Sequence, residues 1–295
     1  MNAPAHVRLV DVSPRDGLQN EKRPVSTEVR IGLVRRLQDA GLRHIEAASF
    51  VSPRWVPQMA DGAAVMQGVR RRPGVRFAAL VPNLRGLDTA LDAPRAAWPD
   101  DIVVFGSASE SFSRKNINCS IAESIERFAP VVAAARAQGL RVRAAMSCAV
   151  GCPFEGEVAP EAVGRLARML RDIGAQEVAV ADTIGVGTPD RVRRALDAAL
   201  AHYDTEDVSG HFHDTQGRAL ANTVASLDMG IRQFDTSVAG LGGCPYAPGA
   251  TGNVATEAVA ALLHDRGFTT GIDLARLMEA GQYIRNALRE EVAPA

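Results

Sequence analysis

Lysine is nearly missing from this 295-residue chain. Of 33 basic side chains only Lys22 and Lys115 are lysine, leaving 31 arginines. Schiff-base catalysis needs a desolvated lysine, and neither candidate sits inside an apolar strand. Cysteine is scarce as well. Four residues (Cys119, Cys148, Cys152 and Cys244) are too few for a disulfide framework in a chain this long. The spacing of Cys148 and Cys152 is not that of a zinc knuckle, so both read as small buried residues. Long apolar runs are lacking, the longest lying around 131–135 and 196–201, far short of a bilayer span. Charge of one sign is lacking too. The net charge is −1, so no global field favours nucleic acid or an anionic membrane surface. The one basic run, Arg70-Arg71-Arg72, reads as the solvated end of a helix. The first expected strand follows Met1 within six residues, and the tail 290–295 carries no retention or lipidation signal. The expectation is a cytoplasmic protein with neither a membrane nor a nucleic acid as partner.

What is present is an alternation of short β-branched runs with longer helical patterns. Strands are expected at 7–12, 44–50, 76–81, 101–105, 141–147, 177–181, 207–213 and 233–238. Helices are expected at 26–40, 58–69, 84–91, 122–137, 160–172, 189–201, 219–229 and 255–265, with one more at 274–288. Ser26 is a good N-cap, and Gly41, Gly139 and Gly230 follow helix ends as stop signals. Eight strand–helix units at steady spacing, with no linker between them, predict an α/β fold. The form is a single closed (β/α)8 TIM barrel over residues 1–295 with an additional C-terminal helix. Active sites of this fold lie at the carboxyl ends of the strands, so polar residues there carry the most information.

The stretch Ser209-Gly210-His211-Phe212-His213-Asp214 anchors the reading. On a strand His211 and His213 share one face and Phe212 takes the other, so two imidazoles aim at one point. Alone, a His-x-His pair is weak. Other strand ends add Asp16, from Arg15-Asp16 after strand one, and Asn253, from the far side of a glycine-dense loop. Together Asp16, His211, His213 and Asn253 form a nitrogen-and-oxygen ligand set suited to a divalent ion such as Mg²⁺ or Mn²⁺. Glu46 lies among apolar neighbours in strand two and needs a partner, for which Arg15 is the obvious choice. Asp182 ends strand six. The loop 239–253 reads as a mobile lid carrying one reactive side chain, Cys244.

Five segments carry a resemblance: Ser13-Pro14-Arg15-Asp16-Gly17-Leu18-Gln19-Asn20, Ser49-Phe50-Val51-Ser52-Pro53-Arg54-Trp55, Lys115-Asn116-Ile117-Asn118-Cys119-Ser120, Asp182-Thr183-Ile184-Gly185 and Gly240-Leu241-Gly242-Gly243-Cys244-Pro245-Tyr246. Through them the chain resembles the 3-hydroxy-3-methylglutaryl-CoA lyases over about 7–288. Those enzymes are metal-dependent barrels that split their substrate into acetyl-CoA and acetoacetate. The resemblance implies an acyl-CoA substrate and a homo-oligomer, a dimer. It makes Asp16, His211, His213 and Asn253 the metal ligands. Arg15 stabilises the enolate with Glu46 as its partner, Asp182 is a further active-site acid, and Cys244 is the lid cysteine. Arg15, Gln19 and the position of Ala145 contact substrate.

The implied chemistry is a retro-Claisen cleavage with His211, or a group acting through it, as the base. Two positions depart from the family pattern. Ala145 stands where a tyrosine is usual, which enlarges the acyl pocket, and Phe212 where a small residue is common. One alternative is a condensing acyltransferase of the isopropylmalate- or homocitrate-synthase type, acting on a 2-oxo acid. Another is a silent acyl-CoA-binding or scaffold protein.

Overall fold

The computed structural model describes residues 5–22, 24–243 and 252–290. Its centre is eight parallel strands: β1 Arg8–Asp11, β2 His44–Ser49, β3 Arg76–Leu80, β4 Asp101–Ser107, β5 Arg141–Ser147, β6 Glu177–Asp182, β7 Val208–Phe212 and β8 Gln233–Thr236. They pair in chain order, and β8 closes on β1 through the register Leu9↔Phe234 and Asp11↔Thr236. The closed barrel expected from the spacing is therefore present.

Helices follow the strands: α1 Thr27–Asp39, α2 Gly62–Gly68, α3 Leu84–Leu91, α4 Glu110–Ile117, α5 Ile121–Ala137, α6 Pro160–Asp172, α7 Pro189–Leu200, α8 Ala219–Asp228, α9 Thr256–Asp265 and α10 Leu274–Glu290. Ser26 does cap α1, accepting from the Val29 amide. The additional helix is α10, whose packing partner includes α1. None of the described helices is long and apolar enough to cross a membrane.

The chain's alternation sorts side chains as a barrel requires. Outward residues such as Ile45, Val104, Val142, Val178 and Phe234 join one apolar layer under the helices. Phe212 is in that layer and fully buried, packed 6.5 Å from the Phe234 ring, as its place on the strand predicts. Cys148 and Cys152 are both buried, as expected. The inward residues divide the barrel. Ala78, Leu80 and Val103 form a separate apolar cluster on the β3–β4 side, with Val51, Phe105 and Ala145 packed against it. The remaining strands send in Glu46, Arg143, Glu177, Asp235 and His211.

Two elements were not expected. Helix α4 and the hairpin Gly151–Cys152 with Gly156–Glu157 both lie in the loops that follow strands. A helix of eight residues is too short for periodicity to separate from a loop, although Ser109 does accept from the Phe112 amide as its N-cap.

Candidate active site

Strand β1 ends in a single wide turn of π-helix, Ser13–Gly17. The buried Asp11 carboxylate anchors it by accepting from the Ser13 amide at 2.9 Å, the Thr256 hydroxyl at 2.7 Å and the Val238 amide at 3.1 Å. One side chain thus ties the ends of β1 and β8 to the start of α9. The turn projects Arg15 and Asp16 into the barrel mouth. Arg15 donates from Nε to Glu46 Oε1 at 2.5 Å and from Nη1 to Asp16 Oδ1 at 2.7 Å and Gln19 Oε1 at 3.4 Å. Both Arg15 and Glu46 are buried. A β-bulge follows Glu46 in the pairing of β2 with β3, the kind of irregularity that re-aims a side chain near a site. The Arg15 Nη2 makes no hydrogen bond to a described residue.

Across the mouth, His211 and His213 stand with ring centroids 5.6 Å apart. One donor atom each from Asp16, His211 and His213 fall within 4.8 Å of one another. Asn253 joins them, its Nδ2 donating to Asp16 Oδ2 at 2.8 Å and to the Leu241 carbonyl at 3.1 Å. His213 Nδ1 and Asn253 Oδ1 are buried and have no hydrogen-bond partner among the described residues. Orphaned buried acceptors are costly unless something else binds them. Beside a carboxylate and a second imidazole, they make a donor set that fits a divalent cation.

The electrostatics agree. Burial opposes ionisation of Asp16, yet Arg15, His211, His213 and Asn253 hold its carboxyl down at about 2. Burial, with His211 alongside, pushes His213 down to about 4, so that ring is neutral and its lone pairs are available. His211 is raised: burial works against its charge, but the hydrogen bond and charge of Asp235 outweigh it.

Asp235 was not singled out from the sequence. Its Oδ2 lies 3.1 Å from His211 Nδ1, and its Oδ1 accepts from Arg143 Nη2 at 2.5 Å. A lone acid centred in the apolar run of β8 was the available signal, the same one that identified Glu46.

The other sequence candidates fall in three places. Asp182 is fully buried and its carboxylate turns to the backbone, accepting from the Gly187 amide at 2.8 Å and Val186 at 3.1 Å. A Cβ on Gly187 would lie 2.7 Å from Asp182 Oδ2, so the glycine is needed for that approach. Ala145 is half-buried on the inner face against Ala78, Leu80 and Val103. Cys244 lies outside the described residues, as does 244–251 of the expected lid. The roots of that loop are tightly held. Asn20 Nδ2 donates to the Gly243 carbonyl at 2.7 Å, and a Cβ on Gly242 would meet Asn253 Nδ2 at 2.5 Å.

A parallel barrel with a His-x-His, an Arg-Asp turn and an asparagine at its carboxyl end defines a class of divalent-metal barrel enzymes. The model of the HMGL-like family matches residues 6–284, and the chain belongs to that family. A Pseudomonas aeruginosa protein named 3-hydroxy-3-isohexenylglutaryl-CoA/hydroxy-methylglutaryl-CoA lyase is 54% identical, over 96% of this chain and 93% of its own. The crystal structure of an HMG-CoA lyase from Brucella melitensis superposes with a TM-score of 0.92 at 53% identity, covering 97% of this chain and 99% of that one. An Acinetobacter baumannii HMG-CoA lyase, solved in complex with coenzyme A and 3-methylmalate, gives 0.90 at 33% identity, with coverages of 96% and 92%.

Proposed function

We propose that this protein is a divalent-metal lyase that cleaves 3-hydroxy-3-methylglutaryl-CoA, or a close 3-substituted analogue, to acetyl-CoA and acetoacetate or its homologue. The observation that carries the reading is the convergence of Arg15, Asp16, His211, His213 and Asn253 on one side of the mouth, with two buried acceptor atoms left open toward it. Asp16, His211, His213 and Asn253 would hold the ion, Mg²⁺ or Mn²⁺. When bound, it would supply Lewis acidity that lowers the pKa of a coordinated tertiary hydroxyl.

The chain's own groups do the rest. With Nδ1 tied to Asp235, His211 keeps Nε2 as its one open nitrogen. The Asp235 charge makes that nitrogen more basic, whether it ligates or takes the hydroxyl proton. Loss of that proton lets the carbon–carbon bond break toward the thioester, and its electron pair becomes an enolate. Arg15, fixed by Glu46, offers Nη2 to the enolate oxygen without having to reorganise. Proton delivery to the enolate carbon is assigned to Cys244 from its sequence position alone. Asp182 serves as a clamp on the loop after β6, judged by its backbone partners.

The Pseudomonas relative carries a long 3-substituent in its name, and here the acyl side of the mouth is a wall of apolar residues that includes the small Ala78 and Ala145. That wall favours a substrate range reaching beyond the 3-methyl ester. The buried thiols Cys119, Cys148 and Cys152 are unbridged, as in a reducing compartment, which supports the cytoplasm.

A coupled assay for acetyl-CoA release over branched 3-hydroxyacyl-CoA esters tests the function. Activity should vanish on chelation, return with Mg²⁺ or Mn²⁺, and be lost in His213→Ala together with ion binding. Alkylation of Cys244 should abolish turnover. No acetyl-CoA from any ester, with free thiol appearing from acetyl-CoA and a 2-oxo acid, would make the protein a condensing enzyme instead.

A further inference from the structure

Among the described residues other than glycine, only Asn118, Cys148 and Ala239 have a positive φ. Asparagine tolerates the left-handed region through its own short polar side chain, and alanine has no such help. Ala239 sits there at φ 61° and ψ 10°, in the turn Val238–Gly240 that opens the glycine-rich loop after β8. Such a conformation persists only where the surroundings hold it. Glu257, in the first turn of α9, holds it here. Its Oε1 and Oε2 both accept from the Ala239 amide, each at 3.1 Å.

Glu257 is in turn seated on α10. A Cβ on Gly281 would lie 2.5 Å from Glu257 Oε1, so the helix presents a glycine where the carboxylate needs room. The same helix packs on α1 and on the turn at Ala239. At α1 its Tyr283 hydroxyl donates to the Val29 carbonyl at 3.4 Å, passing over Gly32. The helix that eight strand–helix units do not require therefore clasps α1 and backs the Glu257 carboxylate.

The turn aims the Leu241 carbonyl. Two residues past Ala239, that carbonyl accepts from Asn253 Nδ2, whose other acceptor is Asp16 Oδ2. With Nδ2 so engaged, Asn253 Oδ1 is the end of the amide left open. The Asn253 backbone is fixed separately: the Val254 amide donates to the Phe212 carbonyl at 2.9 Å, and the Asp214 amide to the Gly252 carbonyl at 3.1 Å. The end of β7 thus places the residue, and the Leu241 carbonyl decides which end of its amide faces the ligand set. An amide turned over would present N–H donors to a cation.

We infer that Glu257 is a positioning residue for Asn253. By holding Ala239 in its turn it aims the Leu241 carbonyl, and Gly281 of α10 gives it the space to do so. The inference rests on the metal reading above and adds how one ligand is oriented from outside the site.

The experiment reads Mn²⁺ affinity by EPR, without substrate, in the full chain and in Glu257→Ala, Glu257→Gln, Gly281→Ala, Asn253→Ala and Glu257→Ala/Asn253→Ala. Glu257→Ala should weaken binding about tenfold, the low end for groups that orient a metal ligand. Gly281→Ala should weaken it too, by displacing the carboxylate, whereas Glu257→Gln keeps an acceptor oxygen and should stay near the natural affinity. In the Asn253→Ala background, loss of Glu257 should add nothing, because its route to the ion is gone. Unchanged affinity in Glu257→Ala overturns the inference, as does an equal further loss in the Asn253→Ala background, which would mark general damage. If Glu257→Ala does not fold, Gly281→Ala in both backgrounds decides by the same measure. If the natural protein binds no Mn²⁺, the metal reading fails, and amide hydrogen exchange still decides the brace: faster exchange over 239–242 in Glu257→Ala supports it, and unchanged exchange removes it.

Discussion

Replacing Ala145 by tyrosine should narrow the acyl range of the enzyme, and the structure sets the scale of the effect. Ala145 lies on β5 between Phe105 of β4 and Ala179 of β6. It is half-buried against Ala78, Leu80 and Val103. Its neighbour on β4, Phe105, is engaged edge-on with Phe128 of α5 at 5.1 Å. Tyrosine would place on the order of 100 Å³ of side chain into that space. A substituent with about five more carbons than methyl would gain at most ~4 kcal/mol on full burial, at ~0.8 kcal/mol per carbon. A half-open wall realises about half of that, ~2 kcal/mol, or roughly 30-fold in kcat/KM. The assay is kcat/KM for the 3-methyl ester and a long-chain 3-alkenyl analogue in both proteins. The natural protein should accept the long analogue at least as well as the 3-methyl ester, and Ala145→Tyr should lower the long-to-short ratio about 30-fold, by the same ~2 kcal/mol. If the natural protein prefers the 3-methyl ester and the variant leaves the ratio unmoved, the enlarged pocket does not exist.

Glu46→Ala should cost about 3–5 kcal/mol of stability in urea unfolding, because it strands the buried Arg15 charge; a loss below about 1 kcal/mol would mean that Asp16 alone satisfies Arg15. Asp235→Asn should weaken Mn²⁺ binding, followed by its EPR signal, about 10- to 100-fold through the loss of His211 orientation, with the far-ultraviolet circular dichroism unchanged. Equal Mn²⁺ affinity in that variant would make Asp235 a partner of Arg143 only. His44, at the amino end of β2, is pushed down to about 3 by burial and by Arg8, Arg76 and Arg143. Its folded pKa lies below the unfolded one, so the stability tied to its neutral form is complete above about pH 6.5 and is lost as pH falls toward 3. Between pH 7 and 5 the natural protein should lose about 2 kcal/mol more than His44→Gln, read from urea midpoints at both pH values; parallel pH dependences would show that His44 is charged in the folded state.

The barrel was legible from the sequence because its two periods are strong. Strands such as 141–147 and helices such as 160–172 appear at the spans expected. The shorter elements were not, since α4 and the Gly151–Cys152 hairpin are set by loop contacts rather than by a repeating apolar face. Of the site, Asp16, His211, His213 and Asn253 could be gathered because each sits at a strand end, where the fold itself gives the residue meaning. Arg15 with Glu46 was legible as a buried acid needing a cation. Asp235 and Arg143 were not paired in advance, because the partners lie on β8 and β5, 92 positions apart, and register alone brings them within 2.5 Å. The glycine-rich loop also reads differently at its roots. Gly242 is small because Asn253 packs against it, a close approach that composition alone presented as mobility.

The inside of this barrel explains why so many charges can be held at the mouth. Barrels of this kind are usually filled by layers of branched aliphatic side chains, and here only the β3–β4 side with Ala145 follows that pattern. On the other side an ionic column rises through the core. Glu177 meets Arg8, Arg141 at 2.9 Å and Arg143 at 3.7 Å. Arg143 passes to Asp235, Asp235 to His211, and across the mouth Asp16 passes to Arg15 and Glu46. Each charge has an opposite neighbour, so Asp235 stays ionised although burial opposes it, and His211 is raised with it. With His211 neutral, as a ligating imidazole is, the balance is incomplete at the top, where two guanidinia, Arg15 and Arg143, face three carboxylates, Asp16, Glu46 and Asp235. That residual negative charge sits beside the neutral imidazole of His213 and the open oxygen of Asn253. A neutral ligand would leave the excess buried, whereas a dication at this point meets both the charge and the unsatisfied acceptors.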